Sequence, residues 1–285
     1  MIKKIAVTLA AFILMILPFV VGTQIGGFTP YVEINSFSTY VLIWAGISIA
    51  FVLIIVVALK YFFQSFEKIV VAGALLFLLI SPIVGIVGLV APPDLSVTML
   101  EHPEREHIRY LFLFIAAFLF GFFFLILIWN NSLQMKNPAK WIMTLLFILA
   151  FAELVWEFSH HYLYPEAMKE WMDQGKKAEE FGKSYDSISI INIGVLGRLI
   201  QFSLISWLAI CLYKLQQVRI WSPIVTIVFS LAGIASATMI YMTEMNLPKG
   251  FEFLFLFFIP GIPFLLLYWL GVAMITRFKR SDSEQ

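Results

Sequence analysis

Long apolar runs separated by short polar segments dominate this chain. Runs near 20 residues, the length a helix needs to cross about 30 Å of hydrocarbon, fall at roughly 5–22, 40–62, 69–90, 110–129, 141–161, 188–213, 222–243 and 252–276. In lipid the backbone has no partner but itself, so each run predicts a helix. The expected fold is all-α: a polytopic integral membrane helix bundle of about eight spans, forming a single transmembrane domain over 1–285. Gly, Pro and polar residues mark 22–39 and 91–109 as loops. The longest connection, 162–187, is the expected extracytoplasmic loop, with 166–171 and 175–182 as candidate short amphipathic helices.

Composition supports this class. Apolar residues make up 61% of the chain and charged residues 13%, against about 45–50% and 25% in soluble proteins. A net charge of +1 leaves no basic excess for nucleic acid, and one cysteine excludes a disulfide framework within the chain or a multi-cysteine metal site.

The placement of lysine and arginine orients the bundle. With a cytoplasmic N-terminus, the inner side holds Lys3, Lys4, Lys60, Lys68, Lys136, Lys140, Lys214, Arg219, Arg277, Lys279 and Arg280, against Glu67, Asp282 and Glu284. The outer side is acidic. Both termini are expected in the cytoplasm, and the low charge and short loops suit a prokaryotic inner membrane. Residues 1–22 also resemble a secretory signal peptide, although the run is long for one and no A-x-A site follows. Cleavage would leave seven spans. No span carries a lysine away from its ends, so a retinal Schiff base is excluded.

Charges inside spans are costly and ask for a reason. Three lie well inside: Glu153 and Glu157 in 141–161, and Arg198 in 188–213. These spans are consecutive and antiparallel, so a Glu153–Arg198 or Glu157–Arg198 ion pair is one expectation. The other starts from helical spacing, which puts Glu153, Glu157, His160 and His161 on about a quarter of the circumference. Glu157-x-x-His160 has the i, i+3 spacing of carboxylate-bridged metal sites in helix bundles. Glu104-x-x-His107 repeats it at the same membrane level. Glu104, His107, Glu157 and His160 are thus candidate ligands for a divalent metal (iron, manganese or zinc) rather than for copper(I), which prefers sulfur. Each motif alone is weak, and solvated interfacial histidines are the bland alternative.

Thr226, Ser230, Gly233, Ala237, Tyr241 and Glu244 share a helix face. Small residues there suit close packing, while Tyr241 and Glu244 are candidates for the wall of an outward pocket. Gly194, Arg198 and Gln201 likewise share a face. Ser81, Pro82, Gly85 and Gly88 weaken the third span, and Pro260 and Pro263 interrupt the eighth, as in transporters whose broken helices line binding sites. Signatures for ATP, dinucleotides, serine hydrolases and zinc proteases are absent from the sequence.

Three functions follow as expectations. The first is a membrane enzyme, metal-dependent or not, acting on a lipid or other small apolar substrate, with Glu153, Arg198, Tyr241 and Glu244 as its catalytic candidates. The second is a transporter or permease subunit with Arg198 and Glu153 in its path. The third is an accessory subunit of a membrane complex. Partner chains, or a homo-oligomer, are left open.

Overall fold

The computed structural model describes residues 2–27, 34–62, 96–101, 103–129 and 133–277. Among them all regular structure is helical. The elements are α1 (Ile2–Gly27), α2 (Ile34–Phe62), α3 (Pro103–Trp129), α4 (Asn137–Tyr162), α5 (Tyr164–Asp173), α6 (Ala178–Tyr185), α7 (Ile188–Lys214), α8 (Trp221–Thr243), α9 (Phe255–Phe258) and α10 (Gly261–Ile275). Short 3₁₀ turns at Val97–Glu101 and Glu252–Leu254 precede α3 and α9.

Five helices are long and apolar enough to cross a membrane, or six if the bent pair Glu252–Phe258 and Gly261–Ile275 is one span. By length and composition these helices fit a helical membrane protein. Helix α2 adds a shorter apolar stretch, Ala45–Ile55. The expected third span, 69–90, and its weak point at 81–88 lie outside the described residues. Helices α1 and α2 run further into 22–39 than the loop expected there, and α3 begins at Pro103, seven residues before the apolar run.

Proline accounts for two departures from plain helix. Pro18, inside α1, has no N–H to offer the carbonyl four residues back. That carbonyl belongs to Leu14, and the Tyr268 hydroxyl of α10 donates to it at 2.5 Å. Trp269 Nε1 donates to the neighbouring Met15 carbonyl at 3.3 Å. The proline thus creates the acceptor by which α1 is tied to the far end of the sequence. Because a buried carbonyl left unpaired costs about 1–3 kcal/mol, Tyr268→Phe is expected to lower thermal stability in detergent by that order. An unchanged melting temperature in Tyr268→Phe would contradict it.

The second departure is in the last span. Pro260 and Pro263 break it, and its halves meet at 62°. At the break Ile262 N–H bonds back to the Ile259 carbonyl at 3.1 Å, leaving the Phe258 carbonyl without its helical donor. This opening faces α7.

The core is built by α3, α4, α7 and α10 around Phe158, Phe202, Leu208 and Tyr268, all fully buried. Helices α7 and α8 pack closely because Gly233 lies against the Phe202 ring, where any Cβ would overlap it. Thr226, Ser230 and Ala237 of the same stripe are buried, so the small residues serve packing. The 162–187 connection forms two helices, α5 and α6, which close over their own small core of Met99, Tyr164, Met168 and Phe181.

Candidate functional site

The three charges inside the spans meet. Arg198, on α7, is completely buried, and its guanidinium uses all three nitrogens. Nη2 donates to Glu157 Oε2 at 2.5 Å. Nη1 donates to Gln201 Oε1 at 2.9 Å, with Glu153 Oε2 further off at 3.5 Å. Nε donates to the Phe258 carbonyl at 2.8 Å. The acceptor that the Pro260 break exposes is therefore satisfied by the fully buried Arg198. Gln201 Nε2 completes the cluster by donating to Glu153 Oε2 at 2.7 Å.

Sequence spacing explains the local geometry. Glu153 and Glu157 are one turn apart on α4, and Arg198 and Gln201 one turn apart on α7, so two adjacent pairs face each other across one helix contact. The approach needs Gly197: a Cβ there would overlap the Glu153 carboxyl carbon and Oε2. Both expected ion pairs are present, sharing one guanidinium. With two carboxylates to one cation, the set carries one negative charge in excess unless a proton or cation joins it. Glu153 Oε1 is buried and receives no donor.

Two spaces adjoin the cluster. A crevice of about 350 Å³ between α4 and α7 is lined by Glu153 and Gly197 among Leu149, Trp156, Ile193 and Leu196, four residues that are exposed on the apolar outside of the bundle. On the side away from α5 and α6, a smaller cavity of about 50 Å³ reaches Gln201 among Phe147, Leu154, Ile205 and Phe264.

Toward α5 and α6 the face of α4 continues to His161, one turn beyond Glu157. Its ring stacks on Tyr110 at 5.5 Å, and its Nδ1 is buried without a partner. His160 turns the other way. Its Nε2 meets Asp186 Oδ1 at 2.9 Å, its ring stacks on Tyr185 at 4.1 Å, and the Tyr185 hydroxyl donates to its carbonyl at 2.9 Å. His107 Nε2 lies 2.9 Å from Glu166 Oε1 of α5, without the alignment of a hydrogen bond, and its ring stacks on Tyr162 at 4.5 Å. His107 and His160 thus join the helical cap of α5 and α6 to the bundle. Burial, with Asp186 and Tyr185 nearby, pushes the Tyr164 phenol inside that cap up to about 12.

These contacts correct the expected metal centre. Glu104 is exposed, His107 lies beside Glu166 of α5, His160 is bonded to Asp186 and Glu157 to Arg198. Among the described residues no group of three or more His, Cys, Asp or Glu side chains is placed to hold a metal. The i, i+3 spacing put Glu157 and His160 on one side of α4, but their partners lie in opposite directions, one in the bundle and one in the cap. Tyr241 and Glu244 are likewise apart from the cluster. Tyr241 is 59% exposed, and Glu244 is an exposed left-handed C-cap of α8 at φ 49°. They do not wall a pocket with Glu153.

Two features escaped the sequence pattern. Glu106 and Arg109 form a buried pair at 2.9 Å in the first turns of α3. The helix start at Pro103 was legible from proline at a first helical position, but the sequence pattern did not pair Glu106 with Arg109. The Phe258 carbonyl is a backbone atom, and only the two prolines hinted at it. No family model, curated protein or solved structure matches the chain.

Proposed function

We propose that the chain is a proton-linked transporter or permease subunit, with Glu153, Glu157 and Arg198 as the membrane-embedded proton site. The observation that carries this is the cluster's composition at a broken helix: two carboxylates, one guanidinium, and a carboxyl oxygen with no donor. Unpaired charge in hydrocarbon is costly, and intramembrane carboxylates mark proton relays. One proton held between Glu153 and Glu157 supplies the missing donor and brings the set to neutrality. Glu153, Glu157 and His161 follow one another at four-residue steps on α4, and His160 and Asp186 lie beyond them toward the cap. This ladder gives a proton stepping points from the cap to the bundle centre. Arg198 couples the site to the last span through the Phe258 carbonyl, so a change in carboxyl charge bears directly on the break at Pro260. The basic bias of the inner segments supports a cytoplasmic location for both termini, with the cap outside.

The test is proton flux in liposomes reconstituted with the full chain and loaded with a pH-sensitive dye, driven by a potassium gradient and valinomycin. Wild type should acidify the lumen, and Glu153→Gln, which keeps the Gln201 bond but cannot carry the proton, should fall to the rate of empty liposomes. Wild-type flux no faster than empty liposomes would sink this assignment, and full flux in Glu153→Gln would remove Glu153 from the path.

A further inference from the structure

At the end of the bundle opposite the cap, the first turns of α1, the segment entering α8 and the end of α10 surround a pocket of about 430 Å³. Its charged lining is Lys4, Arg219 and Arg277. Among the described residues, no ion pair to these three is present and no carboxylate lines the pocket. Arg219 stands near enough to Arg277 that burial and this like charge together hold the Arg277 guanidinium below its usual range. The two guanidinia thus bring like charge to one place, an arrangement that an anionic group would favour. The rest of the wall is apolar: Val7, Phe12 and Met15 descend along α1, and Trp221 marks the polar boundary, where tryptophan is enriched in membrane proteins. Phe12 is 62% exposed and Trp221 42%, so this wall is open to the surroundings of the helices rather than closed by protein. The position of α1 is set by the Tyr268 and Trp269 bonds described above, which hold Lys4 at the pocket.

We propose that this pocket binds the phosphate headgroup of one anionic phospholipid, with Lys4, Arg219 and Arg277 on the phosphate and an acyl chain along Phe12 and Met15. Three cations at one end and an apolar strip leading away match an amphiphile with an anionic head. Basic pockets between membrane helices on the cytoplasmic side recognise such headgroups. A soluble phosphate would satisfy the cations and leave the strip uncovered. Guanidinium suits the role because it binds phosphate oxygens in pairs. The site is remote from the Glu153 cluster, and its assignment does not depend on proton transport.

The test uses the full chain in neutral detergent, with phosphatidylglycerol as the probe and phosphatidylcholine as the control lipid, read by native mass spectrometry and by thermal unfolding. Wild type should retain one phosphatidylglycerol and gain stability from it, as any ligand of the folded state confers. Retention should weaken about fivefold for each basic side chain removed, following the cost of one surface cation near anionic lipid. Arg219→Gln and Arg277→Gln should therefore each lose affinity, and the pair should lose the lipid-dependent rise in melting temperature. Unfolding in phosphatidylcholine alone shows whether the variants fold, and Lys4→Gln, on the exposed first turn of α1, provides a further variant if they do not. Lys176→Gln/Lys183→Gln in the cap should leave retention unchanged. Equal retention in wild type and in all pocket variants, or a stability gain from inorganic phosphate matching that from phosphatidylglycerol, would overturn the lipid site.

Discussion

Replacing Arg198 with leucine is expected to cost about 3–5 kcal/mol, the scale for leaving a buried charge without its partner. The loss should appear as a collapse in the yield of monodisperse protein and a lower melting temperature in detergent. The reason is specific to this cluster. Arg198 satisfies Glu157 Oε2, Gln201 Oε1 and the Phe258 carbonyl at once, so leucine leaves two carboxylates facing each other with one amide donor between them. Adding Glu157→Gln should recover much of the loss, because the remaining net charge then equals that of the intact cluster. Glu153→Gln should recover less, since the 3.5 Å contact of Glu153 with Arg198 is longer than the 2.5 Å contact of Glu157, and Gln201 already donates to Glu153. Equal stability of the single and double variants would mean that the carboxylates do not depend on the arginine.

Gly197→Ala should be destabilising by about 1–3 kcal/mol, as overpacking of a filled site is, although alanine is the better helix former by about 1 kcal/mol. A methyl group there occupies the space of the Glu153 carboxyl, so either α4 and α7 separate or the carboxyl leaves the cluster. Gly46→Ala in α2 provides the contrast: nothing lies within 4 Å of its Cβ position, and the substitution should be neutral or stabilising. The clash and the cluster can be told apart with Glu153→Ala, which empties the space. In that background Gly197→Ala should cost little or improve stability, and a penalty that persists unchanged would mean that the glycine serves another contact. Melting temperatures should follow this order, and proton flux should fall with Gly197→Ala and stay at wild-type level with Gly46→Ala.

The hydrocarbon layer imposes a length and an apolarity that can be read from sequence, and so the helical membrane class was legible, with α3, α4, α7 and α8 where the apolar runs placed them. The same solvent makes charged residues rare inside spans, which singled out Glu153, Glu157 and Arg198 and made their pairing a natural expectation. Helical spacing added Gln201 to the face of Arg198. Spacing within one helix was less informative about partners. It put Glu157 and His160 on one side of α4, but that side borders two environments, and Asp186 claims one residue while Arg198 takes the other. Glu106 and Arg109 were hidden by their position before the apolar run, because a helix can continue past the hydrocarbon and bury a pair against its neighbours. Gly197 could not be told from any other tolerated helix glycine until α4 was laid against it. The prolines at 260 and 263 announced a break, yet which side chain would satisfy the freed Phe258 carbonyl was decided only by packing α7 against α9 and α10. What the sequence determined by itself was which stretches form long apolar helices and which charges need partners, because both follow from the solvent. The identity of each partner came from the tertiary structure, because contacts between residues as far apart as Arg198 and Phe258 depend on how the helices pack.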